Sequence, residues 1–130
     1  MTATLRKFVV LIALVSFAQI SFAVDMAFAS LIGKWKSERI DDAGVLVVIQ
    51  LEIRPDQTFS STVYENDRKA ATFEGICELR GKELTWTYLH SSKPLTANKS
   101  DTDMILNVDE QQFIYKSKLS GEPGLYNRVQ

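Results

Sequence analysis

From Leu31 onward, apolar and polar residues alternate with a period of two, in short runs broken by turn-forming residues. Val45 to Ile53 carries the pattern most plainly, with Val47, Ile49, Leu51 and Ile53 alternating with Val48, Gln50 and Glu52. Ala71 to Leu79 sets Ala71, Phe73, Gly75, Cys77 and Leu79 against Thr72, Glu74, Ile76 and Glu78, and Glu83 to Leu89 sets Leu84, Trp86 and Tyr88 against threonines. The same reading predicts strands at Leu31 to Arg39, Thr58 to Glu65, Met104 to Val108, Gln112 to Lys118 and Leu125 to Val129. Between them stand the turn signals Asp41-Asp42-Ala43-Gly44, Pro55-Asp56-Gln57, Asn66-Asp67-Arg68-Lys69, Arg80-Gly81-Lys82, Asp109-Glu110 and Ser120 to Gly124. One connection is long. His90 to Asp103 is rich in Ser, Lys, Asn and Thr, holds Pro94, and is predicted to be a mobile loop and a lid at one end of the domain.

Eight strands joined mostly by short turns must pair sequentially and antiparallel, and one apolar face per strand calls for a closed barrel or a two-sheet sandwich. An eight-stranded, all-β, up-and-down barrel leaves no edge unpaired and holds either its own side chains or one small ligand. Staves of about five to nine residues leave little internal volume. No helical stripe or internal repeat interrupts the pattern.

The first 23 residues read differently. Arg6 and Lys7 precede the apolar run Phe8 to Ala18, and Ser21-Phe22-Ala23 is a small-x-small cleavage site, so residues 1–23 are predicted to be a secretory signal peptide. Ala27-Phe28-Ala29 is a second candidate site. The run is shorter than the ~20 apolar residues a spanning helix needs, so contact with a membrane is expected only through an uncleaved leader. Residues 24–30 form a linker with room for a turn of helix, and 31–130 one domain. Losing Arg6 and Lys7 moves the formal net charge from -1 to about -3. That mild acidity argues against nucleic acid, which needs clustered cations. Export implies a periplasmic or secreted protein. Cys77 is the only cysteine, which excludes an intrachain disulfide, and its place among Phe73, Gly75 and Leu79 predicts a buried apolar role.

Gly33 and Trp35 open the first strand as Gly-x-Trp, and Arg128 lies on the last. This arrangement resembles the calycin superfamily, which includes lipocalins and fatty-acid-binding proteins, and is nearest to small bacterial lipocalin-like domains. The resemblance implies that the Trp35 indole closes one barrel end with the Arg128 guanidinium across it, and that Gly33 permits close approach there. These three residues would then be structural. The chain is much shorter than a full lipocalin and has neither the disulfide nor the helix that follow the barrel there.

Phe59, Phe73, Trp86, Tyr88, Phe113 and Tyr115 fall on inward faces of four strands and are the candidate ligand-binding interior, with Ser61 and Ser117 nearby. Packed core is the competing reading of the same residues. Catalysis finds little support. His90 is the only histidine, Ser91 and Ser92 lie on a polar loop without an elbow, and a single imidazole falls short of a zinc ligand set. Glu74 and Glu78, roughly 13 Å apart on an extended strand, are too far apart for a glycosidase pair. The sequence therefore predicts a non-enzymatic module without metal or cofactor. It would bind a small apolar or amphipathic ligand; otherwise it is a solid-barrel interaction domain that meets a cell-envelope protein.

Overall fold

The computed structural model describes residues 27–94 and 99–130. The predicted leader, residues 24–26 of the linker and residues 95–98 lie outside the described residues. A 3-10 turn, Phe28–Leu31, leads into eight strands: β1 (Gly33–Ile40), β2 (Leu46–Ile53), β3 (Thr58–Glu65), β4 (Arg68–Arg80), β5 (Glu83–Ser91), β6 (Ser100–Val108), β7 (Gln112–Ser117) and β8 (Pro123–Arg128). Each pairs antiparallel with the next, and β8 returns to β1, so the sheet is a closed up-and-down barrel. Among the described residues no helix is long and apolar enough to cross a membrane.

The turns follow local chemistry. The Asp41 carboxylate accepts from the N–H groups of Ala43 and Val45 at 2.9 Å each, and Asp109 does the same for Gln111 and Gln112 at 2.8 and 2.9 Å. Asn66 and Asp67 both adopt positive φ, 48° and 66°, which makes a two-residue hairpin turn and starts β4 earlier than the polar run Asn66 to Lys69 suggested. Bulges fall at three points, between Val63 and Tyr64 opposite β4, between Glu74 and Gly75 opposite β5, and between Ile105 and Asn107 opposite β7. The last keeps both Ile105 and Val108 on the core side.

The long connection is the main departure from the sequence reading. β5 runs on to Ser91 and β6 begins at Ser100, so most of the ends of the expected loop are ladder. Trp86 pairs with Asp101 and Thr85 with Thr102, and the Thr85 and Thr102 hydroxyls bond at 3.0 Å. Polar composition hid the first part of this strand, Ser100 to Asp103, because the β5 neighbour supplies the pairing that its own side chains do not advertise.

One end of the barrel is packed solid. Leu31, Trp35, Ile53, Phe59, Cys77, Leu84, Ile105 and Phe113 are fully buried there. Burial pushes the Cys77 thiol up to about 11, so it is a neutral core residue at physiological pH. Opposite this end the barrel opens. β1 and β8 share only the pairs Trp35–Arg128 and Lys36–Asn127, whereas β1 and β2 pair over their full length. Beyond Lys36 the two strands part, and a cleft of about 780 Å3 lies along the seam, walled by Ser37, Arg39, Tyr115 and Gly124.

Candidate functional site, an aromatic chamber with two carboxylates

The closed end is built around Arg128. Its guanidinium carbon sits 4.1 Å from the centre of the Trp35 ring, and Trp35 donates its indole N–H to the Leu31 carbonyl at 2.8 Å. Arg128 donates from Nε to Glu110 O at 2.7 Å, from Nη1 to Ile32 O at 2.9 Å and from Nη2 to Ser30 O at 3.1 Å. One side chain thereby ties the 3-10 turn, the residue that leads from it into β1, and the β6–β7 turn together. Gly33 has φ 140°, and a Cβ there would come within 2.6 Å of Arg128 Nη1, so only glycine admits the guanidinium. Lys34 is exposed and takes no part in this closure.

Above this plug lies a chamber of about 320 Å3. Leu51, Phe59 and Trp86 line its lower part, and Phe73, Tyr88 and Ser61 stand among its walls. Phe59 meets Trp86 edge-on with ring centres 4.9 Å apart, and Tyr88 lies 5.5 Å from Phe73. The six candidate aromatics thus do not share one role. Phe59, Phe73, Trp86 and Tyr88 line the chamber. Phe113 is inside the barrel but beneath it, packed 4.7 Å from Trp35 and 4.9 Å from Tyr126. Tyr115 lies over Gly124 and faces the seam cleft instead, where any side chain at position 124 would collide with its phenol. Ser117 belongs to both spaces.

The sequence reading missed three residues of this site. Asp101 and Asp103, assigned to the long loop, are successive inward positions of β6 and line the chamber. The interior is therefore not the apolar one expected. Asp103 Oδ2 accepts the Trp86 indole N–H at 2.8 Å, and Asp101 Oδ2 accepts the Tyr88 hydroxyl at 3.2 Å. The third is Tyr126, more than nine-tenths buried on β8. The signal was available in the period-two step Asp101, Asp103, Ile105, and again in Tyr126 and Arg128, but charge and a short final strand obscured it.

Burial raises the Asp103 carboxyl above the usual carboxylate range; the Trp86 N–H opposes this and the neighbouring Asp101 charge adds to it. Tyr88, Tyr115 and Tyr126 are all pushed above the ordinary phenol value, first by burial and then by the acidic and phenolic groups around them, so each stays a neutral hydroxyl. Among the described residues neither the Tyr115 nor the Tyr126 hydroxyl bonds to the protein, and no fully enclosed side-chain polar atom lacks a partner. Both hydroxyls therefore reach the open space of the chamber and cleft.

The residues considered for catalysis are dispersed. His90 is exposed on β5 across from Glu74, the Ser91 hydroxyl donates to Lys93 O at 2.6 Å, and Glu78 pairs with Arg80 at 3.0 Å on the outer surface. No protein-family profile matches the chain, and no curated protein matches it in sequence.

Proposed function

We propose that this chain is an exported, lipocalin-like binding module that takes one small amphipathic molecule into its barrel without acting on it chemically. The observation that carries this reading is the chamber. A barrel serving only as a scaffold would be expected to carry its own side chains up to the rim, and here a solvent-open chamber of about 320 Å3 stands above the plug. Aromatic walls with a few convergent polar groups are the usual make-up of a small-molecule site. At ~30 Å3 for each water-sized group, the space suits a ligand of about ten non-hydrogen atoms. That is a ring with a short arm and excludes a fully enclosed long acyl chain.

The two tryptophans give a direct test. Trp86 lines the chamber, whereas Trp35 is sealed under Phe113 and Arg128. Titration with a neutral aromatic, 2-phenylethanol, is expected to change tryptophan emission saturably in the native protein and in Trp35→Phe, and not in Trp86→Phe. Emission that stays flat with neutral, cationic and anionic aromatics alike would defeat ligand binding. The barrel would then be better read as an interaction domain of the cell envelope.

A further inference from the structure

The chamber holds two carboxylates, and among the described residues neither lies in an ion pair. Each gives one oxygen to an aromatic donor, Asp103 to Trp86 and Asp101 to Tyr88. An amide would accept those same two hydrogen bonds without placing charge in a half-buried site, where an unpaired charge is costly. The acids are therefore excessive for holding Trp86 and Tyr88 in place. The basic group whose field reaches this region is Arg39 on β1, which acts on Tyr115 and Tyr126, but it is exposed and bonds to neither carboxylate.

A second, independent feature points the same way. Tyr126 is more than nine-tenths buried, lines the chamber beside Asp103, and its hydroxyl has no hydrogen-bond partner among the described residues. That hydroxyl reaches the open space of the chamber, so a polar group entering there can complete it. Around these polar groups stand the faces and edges of Phe73, Trp86 and Tyr88. Aromatic rings attract cations through their quadrupoles, and they supply no oxygen ligands for a bare metal ion.

We propose, resting on the reading of the chamber as a ligand site, that the ligand is a small organic cation: a protonated amine or quaternary ammonium on an aromatic or compact apolar body. Its charged end lies against Asp101 and Asp103, its apolar body against Phe59, Phe73 and Trp86, and a hydrogen-bonding group on that body meets Tyr126. Carboxylate ligands, including fatty acids, are disfavoured by two like charges in the same space.

Three probes of matched size separate the possibilities, read by tryptophan emission and calorimetry on the purified protein: 2-phenylethylamine, 2-phenylethanol and phenylacetate. The amine is expected to bind about tenfold or more tighter than the alcohol, and phenylacetate more weakly still. Asp101→Asn with Asp103→Asn, which keeps acceptors for Trp86 and Tyr88, is expected to bring amine and alcohol within about twofold while alcohol binding is retained. Should the double variant not fold, each single variant is expected to narrow the ratio, and a ratio unchanged in both would overturn the proposal. Equal binding of amine and alcohol by the native protein would refute the cation while leaving the ligand chamber standing. No saturable binding of any probe would overturn both. Calcium chloride alone raising the melting temperature and displacing the amine would make the pair a metal site instead.

Discussion

Each side-chain nitrogen of Arg128 donates to a backbone carbonyl while the guanidinium covers Trp35, so two kinds of interaction fail together when it is removed. Arg128→Ala is expected to destabilise the fold by ~1–3 kcal/mol, since it uncovers a buried indole and leaves carbonyls without donors. A double-mutant cycle in chemical denaturation with Trp35→Phe is expected to return a coupling of at least ~0.5 kcal/mol, and additive effects would sink the pairing. Asp103 acts in the opposite direction. Its carboxyl holds a proton more tightly in the native state than in the unfolded chain, because burial disfavours the charge and Asp101 lies close, with only the Trp86 N–H opposing. Tyr115 and Tyr126 add no positive charge there, and Arg39 stands off at the mouth. Its contribution to stability is therefore most favourable below the ordinary carboxylate range and is lost as pH rises through its raised value. Asp103→Asn is expected to raise the melting temperature at neutral pH and to change it little at about pH 3, where the native group is already neutral. A melting temperature lowered at neutral pH would show that the charge is compensated within the protein.

At the scale of elements, the strands differ in how firmly they are held. β3 to β5 pair over long spans, including the 13 residues of β4, with one bulge in each ladder. The β1–β8 seam rests on two paired positions next to Arg128, plus the bond from Val129 N–H to Lys34 O at 2.8 Å. Beyond them Ser37 to Arg39 face a cleft instead of β8 on that edge. Hydrogen exchange is expected to be faster at amides of residues 37–40 that point toward β8 than at β1 amides bonded to β2. Equal protection along both edges of β1 would mean that the seam is closed in solution. β6 carries the other lesson at this scale. Ser100 to Asp103 look like loop when read alone, yet β5 pairs with all four, β7 joins at Asp103, and Tyr88 N–H bonds to Lys99 O at 2.8 Å. Strand propensity is a weak guide where a sheet neighbour supplies the pairing, so composition misjudges such a segment.

For the molecule as a whole, the alternating pattern was sufficient to predict eight antiparallel strands in a closed barrel, because one apolar face per strand and short turns admit few other arrangements. Thr58 to Glu65 forms β3 with both ends as read, since Asp56 bonds the Thr58 N–H at 3.0 Å at one end and Asn66-Asp67 turn the chain at the other. The stacking of Trp35 and Arg128 was expected only from the family resemblance; closing the barrel pairs these two residues and brings them together. Inward aromatics were legible as a set, but their division was not. Whether Phe113 packs under Trp35 while Trp86 borders open space depends on how β7 and β5 are placed around the circumference, a long-range quantity absent from local periodicity. The Asp101–Asp103 pair was hidden more completely, because acidic residues before an apolar run read as a loop until pairing with Trp86 and Thr85 fixes their direction. Sequence alone determined the eight strands, apart from the first part of β6, and the closed barrel, both consequences of side-chain period and turn chemistry. Tertiary structure alone decided that the other end stays open and acidic, since closing the sheet fixes which side chains meet across its interior and how much space they leave.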